Sequence, residues 1–189
     1  MYGALLFRHS ACFKIQPFPL IKSFSDSELA AVIDELYVDD AADLAEEMPA
    51  NVVRRILRHA SPDMRKMINE ILRYPDDSAG SIMNTEYISL RATMSVEHAV
   101  AHIRKTGFDK ETINTLYVID KGRHLIGVVS IRALLFAAPQ DIIEDIMDTH
   151  SIIFVNTLDD KENVAMTFEK YNLTELPVTD TEKRLVGIV

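Results

Sequence analysis

One cysteine, Cys12, is all that the 189 residues contain, which excludes an internal disulfide and a cysteine-based zinc site. An unpaired thiol fits a reducing compartment. Long apolar runs are also missing. The longest candidate, Leu125 to Ala138, carries Arg132 and falls short of the roughly 20 residues a membrane span needs. The N-terminus has Arg8 and His9 where a secretory signal would continue its apolar core. Positive charge is scarce as well: the net charge is −9 and the pI near 5.1, which argues against a nucleic-acid partner, because phosphate backbones recruit Lys and Arg. Between Ser23 and Val53 there is no Lys, Arg or His at all. That stretch holds Asp26, Glu28, Asp34, Glu35, Asp39, Asp40, Asp43, Glu46 and Glu47. Such a block is either a solvated helix surface or a place for cations. Catalytic signatures are absent too: no P-loop, no Gly-x-Ser-x-Gly elbow, no metalloprotease His-Glu pair and no GxGxxG. No enzyme activity is expected.

What is present is 48% hydrophobic sequence, enough for packed cores, organised in two textures. Residues 25–73 read as four short helices. Ser25 and Glu28 form a capping box ahead of Leu29, Val32, Ile33 and Leu36 at helical spacing. Asp39 is expected to cap a second helix running through Leu44 towards Met48 and bounded by Pro49, with Glu47 one turn on. Val52, Val53, Ile56 and Leu57 make the stripe of a third, with Arg54, Arg55 and Arg58 outward. Ser61-Pro62 opens a fourth with Met64, Met67, Ile68, Ile71 and Leu72 inward.

From Tyr74 strand-like runs alternate with helical patterns, and this half contains an internal repeat. Ile82-Met83 matches Ile146-Met147, Thr85 matches Thr149 and Val100-Ala101 matches Val164-Ala165. Farther on, Leu116 pairs with Leu176, Val118 with Val178, Asp120 with Asp180 and Gly127 with Gly187. The change in offset places a longer connection in the first copy, around Gly107 to Glu111. The second copy stops at Val189 as its strand is ending, so a strand and helix that complete the repeat, and hence a longer protein, are expected. The fold class is therefore α+β: a short-helix N-terminal module followed by a tandem βαββα pair, the second copy truncated.

The repeat, with its Ile-Met start and the runs Leu116-Tyr117-Val118-Ile119-Asp120 and Leu176-Pro177-Val178-Thr179-Asp180, resembles a pair of CBS domains. The bridge from Tyr74 through Pro75, Asp76, Asp77, Ser78, Ala79, Gly80 and Ser81 to Ile82-Met83 is similar to the junction in MgtE-type magnesium transporters. The acidic run Asp39-Asp40-Ala41-Ala42-Asp43-Leu44 fits the same family. The resemblance implies a partial acidic N-type domain over 25–73, a junction over 74–81, and CBS domains over 82–142 and 143–189. Residues 1–24 stay unassigned.

It further implies a cytosolic magnesium sensor on the cytoplasmic face of the membrane, working as a homodimer through its CBS domains. The sensor would gate a membrane pore domain carried elsewhere on the full-length chain. In that family magnesium bridges acidic groups and holds the cytosolic part closed. Asp39 and Asp43 fall where metal ligands occur, and Asp40 could assist. Magnesium takes oxygen ligands and keeps several waters, so one or two carboxylates per ion suffice. The alternative is an adenine-nucleotide-binding CBS module of another transporter or enzyme. Ser130 stands in the nucleotide signature with Arg132 behind it, but Ala133 occupies the place of the ribose-binding aspartate, which weakens ATP or AMP binding. His98 and His102 have a metal-compatible helical spacing without an evident third ligand, and read as surface.

Overall fold

Ser25 starts the first helix by closing a reciprocal pair of hydrogen bonds. Its hydroxyl accepts from the Glu28 amide, and Glu28 Oε2 accepts from the Ser25 amide at 2.8 Å. The computed structural model describes residues 24–189, apart from Glu47, Asp109, Ser151 and the side chains of Asp34 and Glu46. Cys12, with the rest of 1–23, and Glu47 lie outside the described residues. The chain divides between Arg73 and Tyr74 into two units.

The first unit contains α1 (Asp26–Asp34), α2 (Val38–Glu46), α3 (Ala50–His59) and α4 (Pro62–Ile71). Leu29, Ile33, Leu44, Val52, Ile56 and Ile68 anchor one shared core. Val38 and Ala42 form a second contact with Ile71. Ser61 Oγ accepts the Met64 amide at 3.2 Å, and Pro62 takes the first helical position, where its missing N–H costs nothing.

Three sequence expectations are corrected in this unit. The second helix begins at Val38, so Asp39 sits inside its first turn and does not cap it. Met67 is 37% exposed, because Met64, Ile68, Ile71 and Leu72 already complete the buried stripe and leave it on the edge. Arg55 does not face out: it is half-buried and donates to the Phe24 carbonyl at 2.6 Å and to Asp26 at 2.7 Å.

The second unit holds two three-stranded sheets built alike. The first orders β1 (Ser89–Leu90), β2 (Thr115–Ile119) and β3 (Leu125–Ser130), with α5 (Val96–Thr106) and α6 (Ile131–Phe136). After the short α7 (Ile143–Ile146), the second orders β4 (Val155–Asn156), β5 (Pro177–Thr179) and β6 (Leu185–Ile188), with α8 (Lys161–Tyr171). In each sheet the first strand is parallel to the middle one and the third antiparallel to it. β6, the counterpart of β3, is the strand in which the second copy is expected to end.

The copies exchange their opening segments. Ile143 is fully buried in the core of the first sheet, with Met147 against it, and Asp148 bridges Val128. Reciprocally, Ala79 and Met83 are buried in the core of the second sheet, and Asn84 bridges Ile188. The two repeated glycines lie under the two repeated methionines. A Cβ on Gly127 would stand 2.6 Å from Met147 Sδ, and one on Gly187 2.7 Å from Met83 Sδ and 2.9 Å from the Asn84 carbonyl.

The hairpin turns also meet. Leu125 donates to the Lys183 carbonyl at 3.2 Å and Leu185 to that of Arg123 at 3.0 Å. Arg123 and Lys183 both adopt positive φ, 69° and 63°, at matching turn positions. Asp120 and Asp180 stabilise those turns by accepting the His124 and Arg184 amides, each at 2.9 Å.

Gly187→Ala is expected to destabilise the protein by about 1–3 kcal/mol through overpacking, since backbone as well as Met83 resists the new methyl. Gly122→Ala is expected to cost less, because the nearest atoms there belong to the partly exposed ring of His124. Thermal unfolding of both variants checks the order.

Candidate functional site

Helix α2 has one solvent-facing sector, and acids fill it. Val38, Ala41, Ala42, Leu44 and Ala45 are buried. At 3.6 residues per turn these span about 160° and leave about 200° open, within which Asp39, Asp43 and Asp40 lie inside an arc of about 100°. Asp39 is half-buried, and Asp40 and Asp43 are exposed. Asp39 and Asp43, four residues apart, share a face. Asp39 and Asp40 in the first turn are also favoured by the partial positive charge of the helix start. Although solvent reaches Asp40, the surrounding protein shields its carboxyl and raises its pKa above the ordinary 3.8. A carboxylate whose charge is poorly solvated gains from a nearby cation. The donor set is carboxylate oxygen on a rigid helix, which fits a hard divalent ion that retains water. Among the described residues no cluster of three or more His, Cys, Asp or Glu side chains is placed to enclose a metal. Asp39 and Asp43 therefore suit an open, hydrated ion and not a closed cage.

Asp26 plays a different part. Arg55 donates to its Oδ1 at 2.7 Å, His59 Nε2 lies 3.4 Å from Oδ2, and the hydrogen bond from Arg55 lowers the carboxyl pKa. This group ties α1 to α3 and is engaged by the Arg55 guanidinium.

In the second unit Ser130 caps α6, its hydroxyl accepting the Ala133 amide at 3.0 Å. Arg132 is exposed, and Ala133 offers no carboxylate. The structure thus gives Ser130 a local structural role. His98 is exposed on α5, and His102 is half-buried with its carbonyl accepting from Thr106 at 2.9 Å.

A polar node between the repeats was not anticipated from sequence. Thr112 donates to Glu175 Oε1 at 2.6 Å, while Glu175 Oε2 and the hydroxyl of fully buried Tyr117 are enclosed. Burial, and then the nearby Glu175 charge, push the Tyr117 pKa well above its ordinary 10. The two groups are close, but no acceptor meets the hydroxyl with good hydrogen-bond geometry. The only hint in the sequence is that Tyr117 stands where the second copy has Pro177.

A helical acidic module followed by paired CBS repeats defines the class of protein. The family model described as the MgtE intracellular N domain matches residues 19–77, and that of the CBS domain matches 79–139 and 143–189. The chain belongs to the MgtE family and has the fold of its cytosolic region. It is 38% identical over 156 residues to the magnesium transporter MgtE of Thermus thermophilus, covering 80% of this chain and 34% of that one. It is 39% identical over 122 residues to MgtE of Enterococcus faecalis, covering 65% and 27%. The chain thus spans about a third of the length of these curated relatives. Among solved structures, the cytosolic domain of the Mg2+ channel MgtE in complex with ATP superposes with a TM-score of 0.87 at 35% identity, covering 90% of this chain and 70% of that one. The soluble part of a magnesium transporter superposes equally well, with a TM-score of 0.87 at 34% identity over 90% and 66% of the two chains.

Tyr117→Phe is expected to leave stability within about 0.5 kcal/mol of the parent or to raise it, because a buried hydroxyl without a good acceptor is removed. Urea unfolding measures this. A loss as large as that of a well-bonded buried tyrosine would show that the hydroxyl is satisfied.

Proposed function

We propose that this chain is the magnesium-responsive regulatory region of an MgtE-type transporter, acting at the cytoplasmic face of a membrane on a pore carried elsewhere in the full-length protein. The observation that carries the reading is the α2 sector, where Asp39 and Asp43 share one face of a helix whose opposite side is buried. Like charges at this spacing oppose each other by about 0.2–0.5 kcal/mol per pair. A hydrated magnesium ion at the sector supplies the compensating charge. Its remaining positions are filled by water and further oxygen ligands. The helix contributes fixed carboxylate positions, so the charge state of the module follows ion concentration. No described helix is long and apolar enough to cross a membrane.

Asp39→Asn combined with Asp43→Asn is expected to abolish protection of residues 74–83 from limited proteolysis by millimolar magnesium, with sodium at matched ionic strength as the control. Equal protection in variant and parent would remove these two residues from the site.

Nucleotide regulation is the second reading, favoured by the ATP complex of the similar MgtE cytosolic domain. Against it, Ala133 removes a carboxylate and the Ser130 hydroxyl is occupied as a helix cap. A parallel ATP series in the same proteolysis experiment separates the two, since protection by ATP alone would favour nucleotide.

The regulatory unit works as a homodimer through the CBS pair. Leu135 and Phe136 on α6 are 69% and 83% exposed, and Met166 on α8 is 58% exposed, which is apolar surface suited to a second copy. Leu135→Glu with Phe136→Glu is expected to shift the light-scattering mass from dimer to monomer. An unchanged mass would place the interface elsewhere.

A further inference from the structure

The segment that leads out of the helical module does not belong to the repeat it precedes. Asp77 accepts the Lys161 amide through its carbonyl at 2.8 Å and engages Lys161 Nζ through its carboxylate. Ala79 donates to the Asp159 carbonyl at 2.7 Å, and Gly80 to that of Thr157 at 2.9 Å. Asn84 and Ile188 then exchange two backbone bonds, 2.7 Å from the Asn84 amide and 2.8 Å to its carbonyl. Met83 fills the space over Gly187. Residues 77–84 are thus a strap across the second repeat that ends paired with the last strand, β6. Only after Asn84 does the chain turn to the first repeat, where the Glu86 carbonyl accepts the Glu111 amide and the Ile88 carbonyl accepts the Tyr117 amide.

We propose that this strap makes the second CBS repeat, and within it β6, the receiver of whatever the helical module senses, bypassing the first repeat that follows in sequence. The proposal rests on the magnesium reading for the nature of the signal, but the mechanical link stands on the hydrogen bonds alone. A displacement of the chain at Tyr74 must break the Ala79, Gly80 and Asn84 bonds before it reaches β1. Those bonds end on the loop before α8 and on β6. Gly80 fixes the strap further, because a Cβ there would lie 2.5 Å from Tyr74 Cγ.

Hydrogen–deuterium exchange of the full chain tests this in two arms. Without magnesium, Asn84→Pro deletes the amide bonded to the Ile188 carbonyl. Exchange is expected to accelerate at least about tenfold in 185–189 and 155–161, and to stay unchanged in 115–130. Equal loosening of 115–130, or no change in 185–189, overturns the proposal. If that variant does not fold, Gly80→Ala displaces the Tyr74 ring instead, and the parent gives an independent reading. The Ala79, Gly80, Asn84 and Ile188 amides should respond to denaturant as one opening unit, and a spread beyond about tenfold overturns it. With magnesium, protection of α2 in the parent should extend to 77–84 and 185–189, and in Asn84→Pro should stop before 185–189. Protection of α2 that reaches 115–130 but not 185–189 overturns the relay. No protection of α2 at all overturns the magnesium reading, leaving the strap to be judged by the metal-free arm.

Discussion

The second unit depends on an exchange: each repeat gives its opening segment to the other and receives one in return. Met147 needs Gly127 to be bare, and Met83 needs Gly187 to be bare, because a single methyl would stand within 2.7 Å of the sulfur. This close approach brings a methionine into each sheet's core from outside its own repeat, so neither repeat completes its apolar interior alone. The exchange also explains why the seam has its own cluster, Tyr117, Ile119, Leu185 and Ile188, drawn evenly from both copies. Packed interiors of this density do not deform continuously, so a disturbance on one side of the exchange is passed on or resisted as a whole.

In the helical unit the constraint is different. Helix α2 is buried on two sides, against the main core through Ala41, Leu44 and Ala45 and against Ile71 through Val38 and Ala42. Small side chains allow that double contact. On the opposite side Asp39, Asp43 and Asp40 lie within about 100° of one another. The module's cations lie on the later helices, where Arg55 engages Asp26 on α1. The acids on one face of α2 give that helix the negative surface on which the proposed magnesium reading rests.

On the reading proposed above, the acidic face of α2 would supply the response to ion concentration and the interlocked repeat pair the body that carries it. In the first unit the carboxylate oxygens of α2 suit a hard, hydrated ion, while in the second unit the alanine at position 133 and the capping role of Ser130 make the start of α6 a poor host for a ribose. The polar node of Thr112, Glu175 and Tyr117 lies between the repeats and adds little stability to their pairing, since the tyrosine hydroxyl lacks a well-placed acceptor.

Local physics was legible in the residues. The Ser25–Glu28 box, the Ser61-Pro62 start, the apolar stripes and the tandem repeat with its matched Asp, Gly and Ile-Met positions all follow from hydrogen-bond chemistry and periodicity that act within a few residues. The misreadings came where tertiary contacts outweigh them. Asp39 looked like a cap until Val38 was drawn into the Ile71 contact, Arg55 looked like surface until the Phe24 carbonyl and Asp26 turned it inward, and Met67 lost its place to better-aligned neighbours. The sequence by itself determined where helices and strands form, that the second half is duplicated, and that acid is confined to one stretch, because each depends only on residue type and spacing. Only the tertiary structure decided which repeat each Ile-Met segment completes and which acids share a face with solvent, because these depend on partners about twenty to about a hundred residues away that no local pattern encodes.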